Sequence, residues 1–152
     1  ANETLNEQLV KVRYSLRNAK SEIIGKEMIV ERKVSAMSTI WLDKVDCSEA
    51  SLYEDHVHFA CEQDDVVISE GTAIFTMPKF YRYEQPELSC RMEGADIIIT
   101  AEAYAKSVEI LNENEDLILT DNYFDMEAGE KRVSIISGSL KGLRLRSVYD
   151  IR

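Results

Sequence analysis

The sequence predicts an all-β protein made of two small β-sandwich domains in tandem, residues 1–83 and 84–152. Three observations carry that prediction. Apolar residues recur with period two almost throughout, no segment sustains an apolar face of period 3.6, and the only two prolines, Pro78 and Pro86, bracket the middle of the chain. Period-two alternation sends successive side chains to opposite faces, the pattern of a half-buried strand. The runs are short and bounded by polar or Gly-containing turns, and each half has the size of a seven-strand immunoglobulin-like sandwich.

In chain order, Val10, Val12, Tyr14 and Leu16 alternate with Lys11, Arg13 and Ser15 and form the first strand. Val57, Phe59 and Cys61 alternate with His58 and Ala60, and Ala73, Phe75 and Met77 with Thr72, Ile74 and Thr76. The best helical candidate is Ser48–Tyr53 behind Asp46, a single turn. Met77-Pro78-Lys79-Phe80 ends a strand and Glu84-Gln85-Pro86 opens the next stretch. Proline donates nothing to a ladder and biases its predecessor to extended backbone, so this stretch reads as a short, stiff connector. Alternation restarts with Leu88, Cys90 and Met92, then Ile97, Ile99, Ala101 and Ala103. Further strands are expected at Val108–Leu111, Leu117–Leu119, Arg132–Ile136 and Leu143–Tyr149. The last would align Leu143, Leu145, Ser147, Tyr149 and Ile151 on one face. Gly94 and Gly129 fall between runs, with Ala128-Gly129-Glu130 as a tight turn.

Composition excludes whole classes of partner. A net charge of −10 leaves no basic footprint for nucleic acid or for an anionic membrane surface. No stretch approaches the roughly 20 apolar residues of a transmembrane helix. The polar start, Ala1, Asn2, Glu3 and Thr4, has no signal-peptide core, and the missing initial Met favours a piece of a longer protein. Cys47, Cys61 and Cys90 form neither a CxxC pair nor a disulfide framework. Free, mostly buried thiols in a reducing compartment are expected, hence a cytoplasmic protein.

Groups that could carry chemistry are few. His56 and His58, two apart in a strand, share a face and could share a metal, but the chain has no other histidine. An ordinary polar strand face is the expected reading. Glu62, Asp64 and Asp65 could pair as acid and base only in a cleft that raised one pKa. They sit instead in a hairpin turn where water keeps them ionised, and Glu113, Glu115 and Asp116 form a similar turn. No catalytic, cofactor-binding or metal residue is therefore assigned. Phe80, Tyr81 and Tyr83 offer ring faces for stacking on an oligosaccharide, or apolar surface for packing at a domain junction. Asp121-Asn122-Tyr123-Phe124-Asp125 combines turn-forming polar residues with aromatic anchors. It reads as a folded loop tied to the core, with docking onto a partner domain as the functional alternative.

One element has a family likeness. Leu119-Thr120-Asp121-Asn122-Tyr123-Phe124-Asp125-Met126-Glu127-Ala128-Gly129-Glu130 resembles the (S/T)DNYFDLxPGE element of the C-terminal immunoglobulin-like domain of β-mannosidases, members of glycoside hydrolase family 2. Ala128 stands where that family often places proline. Ile98–Val108 resembles the strand pair before that element, and Ser38–Leu42 and Gly71–Lys79 resemble strands of the preceding sandwich. The resemblance implies that such a chain follows a catalytic TIM barrel of the same polypeptide, whose strand-end glutamates perform the retaining reaction. No glutamate here matches those catalytic positions. The expectation is a non-catalytic accessory pair of domains. The alternatives are a carbohydrate-binding module, with Tyr81 and Tyr83 as platforms, and a stand-alone immunoglobulin-like interaction protein.

Overall fold

A computed structural model describes residues 1–151. Almost all of its regular structure is antiparallel β. The chain forms two compact units, Ala1–Asn18 with Ile23–Phe75, and Ala19–Glu22 with Thr76–Arg152.

The first unit is built on one four-stranded sheet. Its strands are β1 (Gln8–Asn18), β2 (Ile23–Val34), β3 (Asp55–Gln63) and β4 (Val66–Ile74), in the order β2-β1-β3-β4. The β3–β4 turn is a two-residue hairpin with Asp64 at φ 51° and Asp65 at φ 61°. Two left-handed residues match the twist of the flanking strands, and Asp tolerates that region. Register assigns the faces. Val12 lies opposite Val30 and Cys61, Tyr14 opposite Met28 and Phe59, and Leu16 opposite Ile24 and Val57, all on one side. Lys11, Arg13, Glu62, His56 and His58 lie on the other. The expected alternation in β1 and β3 is therefore real. β2 is an addition, because Ile23-Ile24 and Met28-Ile29-Val30 break its alternation and a register shift between Tyr14 and Leu16 interrupts its ladder.

Residues 1–4, Ile40 and Leu42 line a groove together with Val10, Val12 and Cys61 of the apolar side. Asn2 and Ser38 exchange backbone hydrogen bonds of 2.8 and 3.1 Å, and the Met37 amide donates to Thr4 O at 3.1 Å. Residues 39–47 form no ladder among the described residues, so Ser38–Leu42 carries that bridge rather than a strand. The Ser48–Tyr53 segment is a pair of turns, not a helical turn. Asp46 accepts from the Ser48 amide at 3.0 Å, and Asp55 from the Ser51 amide at 2.7 Å. Such local side-chain acceptors compete with helix formation.

The second unit is a two-layer sandwich. One sheet holds β5 (Ser89–Glu93), β6 (Asp96–Ala101), β8 (Ile118–Leu119) and β10 (Gly129–Ser137), in the order β5-β6-β10-β8. The other holds β7 (Ala105–Leu111), β9 (Phe124–Met126) and β11 (Arg144–Arg146), in the order β11-β7-β9. Between them lie Ile97, Ile99, Ala101, Ala105, Val108, Ile110, Phe124, Met126 and Val133, all buried. Inward-facing residues of two sheets interdigitating in this way define a sandwich core. The Ala19–Glu22 segment joins this unit through the Tyr104 amide, which donates to Ala19 O at 3.1 Å, and the Ala128 amide, which donates to Ser21 Oγ at 2.8 Å.

Two sequence expectations change here. The Leu143–Tyr149 strand shrinks to β11, and Val148–Ile151 forms a helical turn, α1. Ser147 stops the strand: its amide and hydroxyl donate to Asp150 Oδ2 at 2.7 and 3.2 Å. Ser147 and Asp150, three apart, carry the spacing of a capping box, which favours a helix start over a strand continuation. Within the connector, Pro78–Phe80 forms one 3-10 turn, closed by the Phe80 amide donating to Met77 O at 2.8 Å. Proline fits the first position of such a turn because its missing N–H would have no partner there.

Candidate functional site

The densest polar cluster is the Asp121–Asp125 element, and nearly every member is committed to β7. Asn122 Oδ1 accepts the Ile110 amide at 2.9 Å, and Asn122 Nδ2 donates to Ile110 O at 3.2 Å. One carboxamide thus satisfies both backbone groups of a strand residue, as a neighbouring strand would. Asp125 Oδ1 accepts the Ser107 amide at 2.8 Å, and its other oxygen meets Lys106 Nζ at 2.8 Å. Ser107 sits at φ 52° where the β7–β9 register slips between Ala105 and Val108. That is a β-bulge, and Asp125 caps the amide the bulge takes out of the ladder. Phe124 enters the core with Lys131 Nζ 4.4 Å from its ring centroid, and Lys131 also pairs with Asp121 at 3.1 Å.

Tyr123 is 63% exposed, yet its hydroxyl donates to Glu109 Oε1 at 2.6 Å. Glu109 also binds Arg146 Nε, its cross-strand partner in β11. The Arg146 bond, then that of Tyr123, holds the Glu109 carboxyl below the ordinary carboxylate range. The same carboxylate raises the Tyr123 hydroxyl above its usual value. Sequence reading did not identify Glu109 or Arg146. The signal was a charged residue between Val108 and Ile110 in a core strand, which requires a partner when buried.

Phe80, Tyr81 and Tyr83 part company. Tyr81 and Tyr83 are 1% and 6% exposed, with ring centroids 4.7 Å apart. Tyr104, fully buried, lies 5.8 Å from Tyr81 edge-on and 6.1 Å from Tyr83 in a stacked arrangement. Edge-to-face and offset geometries of this kind are the favoured ones for aromatic pairs. Neither Tyr81 nor Tyr83 turns a ring face to solvent, so the stacking alternative has no platform there and both rings serve internal packing. Phe80 remains exposed, with Lys79 Nζ 4.8 Å from its ring.

The charged groups resolve into pairs. Glu62 is buried beside Arg13 Nε at 2.6 Å and Lys11 Nζ at 3.6 Å, rather than solvated as its turn suggested. Asp65 is open to water and meets Lys11 at 3.1 Å. Asp116 accepts from Asn112 at 2.5 Å and from the Ser139 amide at 3.2 Å, and these bonds, in that order, lower its pKa. Glu113 pairs with Lys141 at 3.0 Å. His56 is buried and His58 half-buried on the charged face of β3, and no three His, Cys, Asp or Glu residues converge for a metal among the described residues. All three cysteines are free, but none is fully buried and Cys90 is exposed on β5. Burial raises the thiol pKa of Cys47 and of Cys90, so neither resembles a reactive thiolate.

A groove of about 350 Å³ opens on the apolar side of the first unit, lined by Val10, Val12, Val34, Ile40, Leu42, Cys61 and Ile68 among others. Its apolar walls hold no pair of carboxylates and no nucleophile beside a base.

The Ig_mannosidase family model, an Ig-fold domain, matches residues 83–151. No curated protein matches the sequence. Among solved structures the chain is similar to the β-D-mannosidase from Dictyoglomus thermophilum, with a TM-score of 0.68 and 16% identity over 95% of this chain. That overlap spans only 19% of the length of the D. thermophilum enzyme, and at this identity the likeness is one of fold. Over residues 83–151 the two-sheet sandwich is therefore similar to the Ig-fold domain that the Ig_mannosidase model describes.

Proposed function

We propose that the chain is the non-catalytic accessory part of a larger glycoside hydrolase, a β-mannosidase releasing terminal β-linked mannose, and packs on a catalytic domain of the same polypeptide. The observation that carries this reading is the mannosidase-type domain at residues 83–151, in a chain similar over 95% of its length to a fraction of a β-mannosidase. The inward commitment of the chemistry supports it. Glu62, Glu109, Asp116 and Asp125 all serve ion pairs or backbone caps. The three free cysteines suit a reducing compartment, in keeping with a cytoplasmic enzyme.

The test is hydrolysis of p-nitrophenyl β-D-mannopyranoside by the 152-residue chain and by the longer polypeptide that carries it. The longer polypeptide turns the substrate over and the chain does not. Turnover by the chain alone, abolished in Glu62→Gln, would sink the accessory reading.

A further inference from the structure

Every strand of the first unit belongs to one sheet, and one face of that sheet is predominantly apolar and only half-buried. Ile24, Met28 and Phe59 are 37%, 36% and 39% exposed there. Val34 and Ala60 are the only fully buried hydrophobic residues of this unit among the described residues. The other face mixes Lys11, Arg13 and Glu62 with Leu9, Ile23 and Ile29, so the Val12–Tyr14–Leu16 side is the more uniformly apolar of the two.

A facing layer is already begun. The Asn2–Ser38 bridge starts a strand pairing, and residues 39–47 then form no ladder among the described residues. Their side chains alternate: Ile40 and Leu42 line the groove, while Trp41 between them is 94% exposed. A backbone segment without ladder partners is a template for strand addition.

We propose that this face and the edge at residues 39–47 receive a second β-layer, made of amphipathic strands from the same polypeptide outside these 152 residues. The strands add to the 39–47 edge and lay apolar side chains over Tyr14, Leu16, Met28, Val57 and Phe59. A layer in cis is favoured on two grounds. The similar enzyme extends far beyond the matched 19% of its length, and a second copy would bring together two chains of net charge −10. The proposal rests on the longer polypeptide of the preceding reading but not on its activity.

Hydrogen–deuterium exchange resolved by peptide, on the 152-residue chain and on the full polypeptide encoded by its gene, tests it without any sugar assay. Amides of residues 39–47 exchange freely in the chain and slow by at least about tenfold in the full polypeptide. Met28→Lys lowers the melting temperature of the full polypeptide and leaves that of the chain unchanged. Ile24→Lys repeats the comparison should the Met28 variant not fold. Equal exchange at 39–47 in both proteins overturns the proposal, as does a gene encoding nothing further. Protection at 39–47 that appears in the chain alone, with concentration-dependent dimerisation, overturns it in favour of a second copy. Loss of mannoside hydrolysis with protection intact would count against the enzymatic reading only.

Discussion

Asn122 shows how much one side chain can hold. It replaces a missing strand partner for Ile110, so Asn122→Ala leaves a backbone donor and acceptor without their bonds. Loss of about 2–3 kcal/mol is expected from chemical denaturation. Asp121→Ala, which removes an exposed pair with Lys131, costs less than about 1 kcal/mol in the same measurement. Glu109 yields a prediction in pH. Its folded pKa lies below the unfolded value, so its stabilisation is present above the ordinary glutamate pKa of about 4.3 and is lost as pH falls through the folded pKa. Glu109→Gln therefore melts lower than wild type at neutral pH, and the two curves converge in acid. A constant gap across a pH series of thermal melts would contradict this. The sequence marked Asp121–Asp125 as a core-tied loop but left its partners invisible, because they lie on β7 and β10 and only the register brings them near.

Among elements, legibility followed the regularity of alternation. β1, β3, β6 and β7 could be read directly, since one apolar residue in two marks one buried face. β2 was hidden by its apolar doublets, and β9 by a DNYFD segment whose turn residues outweighed its three strand residues. The Ser147–Asp150 box was hidden by the alternation running through it. Turns separate into tolerant and intolerant ones. Gly94 closes the β5–β6 hairpin at φ 63° with open space around it, so Gly94→Ala costs about 1 kcal/mol from backbone conformation alone. Gly138 has φ 108°, and an added Cβ would lie 2.5 Å from Asp116 O and 2.6 Å from Leu117 Cα. Gly138→Ala is expected to cost more than about 3 kcal/mol, visible as a far larger fall in urea midpoint than at Gly94.

At the scale of the whole chain, apolar burial is uneven. The second unit closes a core between two sheets, whereas most exposed large hydrophobic side chains belong to the first. Period two revealed both halves as β-structure because it reports that a strand has an apolar face. What covers that face depends on other chain segments, which no local pattern encodes. This distribution has a spectroscopic consequence. The chain has a single tryptophan, Trp41, and it already stands in water in the native state. Its emission lies at the red, solvent-exposed limit before any unfolding and hardly moves when the chain melts. The Tyr81–Tyr83–Tyr104 cluster, locked in a buried asymmetric arrangement, supplies the signal that Trp41 withholds. Near-ultraviolet circular dichroism from those tyrosines collapses on heating while tryptophan fluorescence stays flat, so a conventional fluorescence melt would report a folded chain as one with no transition.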